Sequence, residues 1–146
     1  MTRDVKLVWK DESNAFDISF SGGDIESDYT ISTPVWAQIF TRARLEDYEQ
    51  PNKFLQQGWL GNIFFDNFIA GCKFEYISSQ GDLSQNTINS LINEIRKALK
   101  FLFDLNIAED IIIDISTNPV DGTIKLNIKI IEKSGQITIL IQEFNL

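Results

Sequence analysis

The chain lacks histidine and has a single cysteine, Cys72, among its 146 residues. Without histidine it cannot form a Cys–His nucleophile pair or a histidine-based serine triad, and the usual zinc-ligand spacing is absent. One cysteine permits no disulfide bond within the chain. Cys72 lies between apolar neighbours in the stretch IAGCKF, which is typical of a small buried side chain. These absences exclude several familiar kinds of catalytic and metal site.

Clusters of basic residues are also missing. The chain has 13 Lys and Arg against 21 Asp and Glu, and its formal net charge is −8. A protein that binds the phosphate backbone of nucleic acids needs clustered positive charge. The densest basic run, IRKALK at 95–100, fits the C-terminal end of a helix, where the helix dipole favours cations. We therefore predict no nucleic-acid partner.

Long apolar runs are absent as well. The N-terminal stretch MTRDVKLVWKDE has no apolar run of signal-peptide length, and the apolar stretch IAEDIIIDIS is interrupted by acidic residues. We therefore draw no membrane helix, and we expect synthesis in the cytoplasm with no membrane partner. The stretch SGGD lacks the Gly-Lys-Ser/Thr that completes a phosphate-binding loop, so the sequence predicts no cofactor.

The residues that are present predict one α+β domain spanning 1–146. The chain is 43% hydrophobic and 12% aromatic, which is enough to bury a substantial core. Alternating apolar residues at 5–20 predict a β-hairpin, in which Phe16, Ile18 and Phe20 share one face. The stretch SGGDI that follows is typical of a sharp turn, because its glycines allow positive φ.

A first helix is predicted from a cap at Ser32 or Thr33 to a point before Pro51. Its apolar residues recur at helical spacing, and its polar face would carry Gln38, Arg42, Glu46 and Glu49.

The middle of the chain is harder to interpret. Residues 52–71 suggest an irregular segment with a short helical turn at 62–69, and CKFEYIS at 72–78 fits either a strand or the lead into the next helix. The clearest helix then begins at Ser84 and runs to 104, with Asn106 as its stop. We expect this helix to pack on one face of an antiparallel sheet.

Three strands are predicted to complete the fold. The first lies at 109–117, and the other two form a hairpin that turns at Ser134–Gly135. The buried face of the middle strand is predicted to carry alternating aliphatic residues: Ile124, Leu126, Ile128 and Ile130. The last strand, QITILIQEF, has no proline and only one charge, Glu143. It could be an open edge or lie inside its own sheet, and an open edge would favour strand addition by a partner.

Acidic residues offer the only obvious catalytic candidates. The pairs Glu46–Asp47 and Glu109–Asp110 could serve a glycosidase, although acidic residues at the ends of elements are also ordinary surface. Arg44 and Trp59 each fit either an internal brace or a contact with a partner, because guanidinium and indole groups need hydrogen-bonding partners when buried.

The order of short motifs resembles one family. A VW strand is followed by GGDI, IFTRAR, GWLGN, a long helix and a terminal β-hairpin, and this order resembles the Mu-like phage baseplate wedge proteins. That family is related to the small wedge proteins of contractile tails once labelled lysozyme-like. The matching positions are Gly22, Gly23, Asp24, Ile25, Phe40, Thr41, Arg44, Gly58, Trp59 and Gly61. The departures are Arg42, Ala43, Leu60 and Asn62.

The resemblance implies structural work in a virion. The chain would be a multi-copy part of a contractile-tail baseplate, with wedge, hub and sheath proteins as partners and with strands that interlock with the first sheath ring. The implied interface or structural residues are Asp24, Thr41, Arg44, Gly58, Trp59, Gly61, Ile137, Ile139 and Ile141. Two alternatives stay open: a peptidoglycan-cleaving enzyme and a small cytoplasmic adaptor unrelated to phage.

Overall fold

The computed structural model describes residues 4–13, 15–28, 30–59, 62, 69–80 and 83–145. The fold is α+β with antiparallel sheets, as the sequence predicts. A three-stranded C-terminal sheet carries the helices on one face. None of the helices within these ranges is long and apolar enough to cross a membrane.

The N-terminal region consists of short paired strands. Strand β1 (Asp4–Val5) pairs with β6 (Ser27–Asp28), and β2 (Leu7–Lys10) forms the predicted hairpin with β3 (Ala15–Ile18). Strands β4 (Phe20–Ser21) and β5 (Asp24–Ile25) form a second small hairpin.

The expected shared face of the second strand is only partly correct. Gly22 and Gly23 form the tip of the second hairpin with φ of 62° and 85°, as predicted for the SGGDI turn. Phe16 packs against the core, but Phe20 is 66% exposed. The reason is that the strand is interrupted at Ser19, which separates β3 from β4.

Helix α1 (Ser32–Phe40) is much shorter than predicted. Residues 41–50 are not helical, because Thr41, Ala43 and Leu45 pair with other segments and residues 46–50 form a local turn. The Thr41 oxygen accepts from the Cys72 nitrogen at 2.8 Å, and the Ala43 nitrogen donates to the Cys72 oxygen at 3.2 Å. Contacts with a segment about thirty residues away therefore override the local helical pattern.

The cap and the polar face of α1 also differ from the prediction. The N-cap position is Ile31 without a side-chain cap, and the Thr33 hydroxyl instead donates to the Val5 oxygen at 2.6 Å. Gln38 is buried, and its amide donates to the Ile69 oxygen at 2.9 Å. Arg42, Glu46 and the other polar residues beyond Phe40 lie outside the helix.

The middle of the chain contributes one short helix and one 3-10 turn among its described residues. The stretch at 72–78 is neither a strand nor a lead into the next helix: Cys72 forms an isolated bridge with Arg42, and a separate short helix α2 (Phe74–Ser78) ends before the next helix begins. A 3-10 turn lies at Lys53–Leu55, whereas the helical turn expected at 62–69 lies largely outside the described residues.

The long helix is confirmed but is interrupted at Leu99. Helix α3 (Gln85–Ala98) begins at the predicted cap, where the Ser84 hydroxyl accepts from the Thr87 nitrogen at 3.4 Å. A short helix α4 (Lys100–Asp104) continues after Leu99, and Asn106 adopts the left-handed conformation with φ of 62°. The buried stripe facing the sheet comprises Leu91, Ile95, Leu99 and Leu102.

The C-terminal sheet has the order β7 (Ala108–Asn118), β8 (Thr123–Glu132) and β9 (Ile137–Asn145). Gly135 has φ of 88° in the turn between β8 and β9, as the Ser134–Gly135 signal predicts. The inner face of β8 is completely buried under the helices, and its residues are the predicted Ile124, Leu126, Ile128 and Ile130.

Aromatic rings join the N-terminal hairpin to the end of the sheet. The ring centroid of Trp9 lies 4.9 Å from that of Phe144 and 5.1 Å from that of Phe16. Phe40 at the end of α1 lies 5.2 Å from Phe144. Aromatic pairs of this kind stabilise by about 0.5–1.5 kcal/mol each beyond the apolar area that they bury.

Candidate interaction surface

The outer face of the C-terminal sheet exposes large apolar side chains. Along β9, Thr138, Leu140 and Phe144 are buried, whereas Ile137, Ile139 and Ile141 are 54%, 58% and 53% exposed. The alternation follows from strand geometry, which sends successive side chains to opposite faces. The three isoleucines singled out by the sequence therefore lie together on the face opposite the helices.

Neighbouring strands extend this surface. Ile131 pairs with Ile137, and Lys129 lies between Ile112 and Ile139 in one cross-strand row. We call Ile112, Ile131, Ile137, Ile139 and Ile141 the outer apolar patch. Charged side chains border the patch on the same face: Asp110, Asp114, Lys125 and Glu143. Lys129 lies inside the patch, between Ile112 and Ile139. An exposed apolar patch bordered by polar residues is typical of a binding surface.

The sheet has two edges, and they differ in protection. Strand β7 carries Glu109, Asp110 and Asp114, and its pairing shifts register between Ala108 and Asp110. Strand β9 carries only Glu143 and pairs without a register shift. Charges and bulges discourage pairing between edges of different molecules. Within the described part of the chain, β7 and β9 each pair only with β8, and β9 is the less protected edge because it has one charge and no register shift.

The candidate residues Thr41, Arg44, Gly58 and Trp59 belong to a segment that we call the crossover, residues 41–59, 62 and 69–73. Here the chain from Thr41 to Leu45 is extended between two other stretches, and the Leu45 nitrogen donates to the Gln56 oxygen at 2.8 Å. Gly58 and Gly71 have φ of 104° and 115°. A Cβ on Gly58 would lie 2.9 Å from the Arg44 Cβ, so only glycine fits this position without displacement.

Arg44 acts as an internal brace in this segment. Its Nη2 donates to the Gln56 Oε1 at 2.6 Å. Gln56 is only 1% exposed, and its Nε2 donates to the Asp47 Oδ1 at 2.7 Å and to the Gln50 oxygen at 3.0 Å. Gln56 is the hub of this network and was missed in the sequence, because no local pattern distinguishes a buried glutamine.

Trp59 and Asn62 lie at the far end of the crossover. Trp59 is 45% exposed, and its backbone oxygen accepts from the Asn62 nitrogen at 3.1 Å. The Asn62 side chain donates to the Ala70 oxygen at 2.9 Å and accepts from the Ala70 nitrogen at 2.8 Å. An ionised aspartate could only accept, so the asparagine amide is needed for this pair of hydrogen bonds. Gly61 and Leu60 lie outside the described residues.

One ion pair ties the crossover to helix α2, and a second joins two parts of the crossover next to the start of α2. Neither pair has a local signal in the sequence. Arg42 makes a bidentate pair with Glu75 at 2.8 and 2.6 Å, and the hydrogen bond with this carboxylate raises the pKa of Arg42. Lys73 bonds Glu49 at 2.8 Å, and both side chains are largely buried. Partners separated by 33 and 24 residues meet only because of the fold.

Asp24 and Thr41 have local roles. The Asp24 carboxylate accepts from the Ile25 nitrogen at 2.8 Å on the exposed tip of the β4–β5 hairpin. Phe20 and Ile25, which are both exposed, pair across this hairpin. Thr41 ends helix α1, and its hydroxyl donates to the Ala37 oxygen at 2.7 Å.

The possible reactive groups are dispersed. Burial raises the pKa of the Cys72 thiol to about 12, which keeps it protonated and a poor nucleophile at neutral pH. Asp47 is engaged with Gln56, and Glu109 and Asp110 lie on the exposed side of β7. Among the described residues, no three acidic, cysteine or histidine side chains come together as metal ligands. The β9 edge offers backbone hydrogen bonding, and the outer apolar patch offers apolar contact.

Comparison of the chain with protein-family models, curated protein sequences and solved structures finds no match. The order of motifs noted in the sequence therefore remains a resemblance.

Proposed function

We propose that this chain is a structural component of a contractile-tail baseplate, which joins wedge, hub and first sheath ring by subunit packing and strand pairing. The observation that carries the proposal is the β9 edge, which pairs on one side only among the described strands and lies beside the outer apolar patch. The partner at this edge would be an extended segment of the sheath protein.

Strand addition suits this edge physically. β9 has nine residues, and an edge of that length spans about 30 Å. Its outward backbone groups can hydrogen-bond to an added strand, while side chains of that strand cover Ile137, Ile139 and Ile141. Burying apolar surface contributes about 25 cal/mol per Å² to the free energy of binding. Covering three half-exposed isoleucines would therefore favour association with the partner.

The crossover supports the same proposal in a different way. Its glycines, the Arg44–Gln56 bond and the Asn62–Ala70 pair hold an irregular segment in one conformation. Arg44 and Gly58 are matching positions in the resemblance to baseplate wedge proteins, and Asn62 is one of its departures. A braced irregular segment is suited to presenting a fixed shape to neighbouring subunits.

A matched pair of substitutions tests the proposal. Ile139→Lys places a charge on the β9 edge, and Ile112→Lys places the same charge in the same cross-strand row on β7, with Lys129 between them. We expect each variant to change the free energy of unfolding by less than about 1 kcal/mol, because both positions are exposed. Only Ile139→Lys should prevent sheath attachment in complemented particles, counted by electron microscopy.

Two outcomes would contradict the proposal. One is normal sheathed particles with Ile139→Lys at wild-type incorporation. The other is an equal defect in both variants, which would assign the effect to the whole outer face and not to the β9 edge.

A further inference from the structure

A buried carboxylate lies at one end of the same sheet. Glu132 is the last residue of β8 and continues its inner face after Ile130, so that it is only 4% exposed. An ionised carboxylate loses strong hydration when it is buried, and this loss is offset by hydrogen bonds or by a nearby cation.

The partners of Glu132 within the described residues are neutral. The Thr138 hydroxyl donates to Oε1 at 3.3 Å, and the Ser134 hydroxyl donates to Oε2 at 3.4 Å. Both distances are long for hydrogen bonds to a charged acceptor. No described Lys or Arg forms a salt bridge with Glu132, and the neighbouring Lys133 bonds Asn106 instead.

Glu132 faces a cavity whose chemistry is mixed. The cavity has a volume of about 590 Å³, and its lining combines the apolar side chains Ile31, Pro34 and Ile107 with the acidic groups Asp4 and Glu132. One cation, Lys133, also lines it, and its ammonium group bonds the Asn106 side chain. The two carboxylates outnumber this cation, so the lining has a net negative charge. Lysine and arginine have the matching form, since an apolar stem ends in a cationic head. A divalent cation suits the lining less well, because Lys133 adds a like charge and, among the described residues, no third carboxylate joins Asp4 and Glu132.

The cavity lies at the start of the β9 edge. Gln136 lines it and directly precedes β9, and Thr138 on β9 bonds Glu132. We propose that the cavity receives a lysine or arginine side chain from the partner segment that pairs with β9. This inference rests on the proposed function, and it adds that the partner carries a basic residue near one end of its added strand.

The test uses the isolated full chain and a small probe. Nα-acetyl-arginine methylamide is titrated against the ¹⁵N-labelled protein by NMR, with the neutral Nα-acetyl-citrulline methylamide as the matched control probe. We expect saturable shifts of the Glu132, Thr138 and Ile107 amides with the arginine probe only. Glu132→Gln should weaken binding about tenfold, because it removes the charge but keeps an oxygen that can accept from Thr138.

Control variants make the result specific. Glu143→Gln removes an exposed carboxylate from β9 and should leave the probe affinity unchanged, while Asp4→Asn should weaken it by a smaller factor than Glu132→Gln. Thermal unfolding of each variant confirms that the fold is retained. Equal binding of the citrulline probe, equal effects of Glu132→Gln and Glu143→Gln, or saturable shifts of the same amides by calcium alone would overturn the inference.

The inference and the proposed function fail separately. Ile139→Lys should leave probe binding intact, because the titration requires no particle. Suppose that Ile139→Lys loses the sheath and the wild-type chain does not bind the arginine probe. The site for a basic residue would then be refuted, while strand addition at the β9 edge would still be supported. Arginine binding combined with normal sheath attachment in Ile139→Lys would remove strand addition as the source of the basic residue, and with it this inference.

Discussion

The crossover and the β9 edge contain the candidate residues in two contrasting settings. In the crossover, Arg44, Gly58 and Asn62 are engaged by their own chain through short hydrogen bonds and close backbone packing. On β9, Ile137, Ile139 and Ile141 alternate with core residues and are more than half exposed. The difference separates residues that fix a conformation from residues that are available to a partner.

This contrast changes how the motif residues are understood. From the sequence, Arg44 could be either an internal brace or an interface contact. Its hydrogen bond to the buried Gln56 makes it an internal brace. Trp59 is partly exposed, so it can contribute in both ways. We expect substitutions in the crossover to act mainly on folding, and substitutions on the outer face of β9 to act mainly on association.

The largest effect on stability is expected at Gly58. Gly58→Ala requires φ of 104° and brings a Cβ to 2.9 Å from the Arg44 Cβ and 3.2 Å from its backbone. We expect the free energy of unfolding to fall by about 2–4 kcal/mol, measured by urea denaturation. The matched control is Gly22→Ala, whose φ is also positive but whose Cβ would meet nothing within 4 Å. That control should cost about 1 kcal/mol. Equal costs at the two positions would refute the close packing of the crossover.

A smaller effect is expected from acid. Burial raises the pKa of Glu49, but the Glu46 backbone N–H and the Lys73 ammonium together lower it below its ordinary value of 4.5. A carboxyl whose pKa is lowered by folding stabilises the protein above its unfolded pKa, and this contribution disappears as the pH falls through the folded value. The crossover should therefore lose stability as the pH drops below about 5.

Glu49→Gln measures this contribution directly. The variant should be less stable than the wild type at pH 7 by about 1 kcal/mol, and the difference should shrink toward pH 3. Glu75→Gln is the control, because its ion pair with Arg42 is more than half exposed. Urea titrations at several pH values provide the comparison, and a Glu49→Gln difference that does not vary with pH would contradict the role assigned to the Lys73 pair.

The elements that the sequence predicted well are those whose signals are local. The Ser84 cap and the alternation from Ile124 to Ile130 depend on neighbouring residues, so helix α3 and strand β8 were predicted correctly. The stretch after Phe40 has an equally good helical pattern, yet pairing with Cys72 and Gln56 makes it extended. Such long-range backbone pairing leaves no periodic trace in the sequence, and neither does the inward direction of Gln56 or Glu132.

The edge position of β9 is another feature that local sequence patterns could not predict. The sequence predicted which isoleucines of the last strand share a face, since alternation alone determines that. It did not determine whether the strand was an edge, because the strand order β7–β8–β9 depends on how segments far apart in the chain pair.

Hydrogen exchange of the β9 amides, in the isolated chain and in the assembled particle, tests the central claim most directly. If the outer side of β9 is unpaired in the isolated chain, alternate amides at 137–145 should exchange quickly there, while the amides of β8 are protected. Those same β9 amides should become protected in the particle. Full protection of β9 in the isolated chain, or unchanged exchange after assembly, would contradict the account.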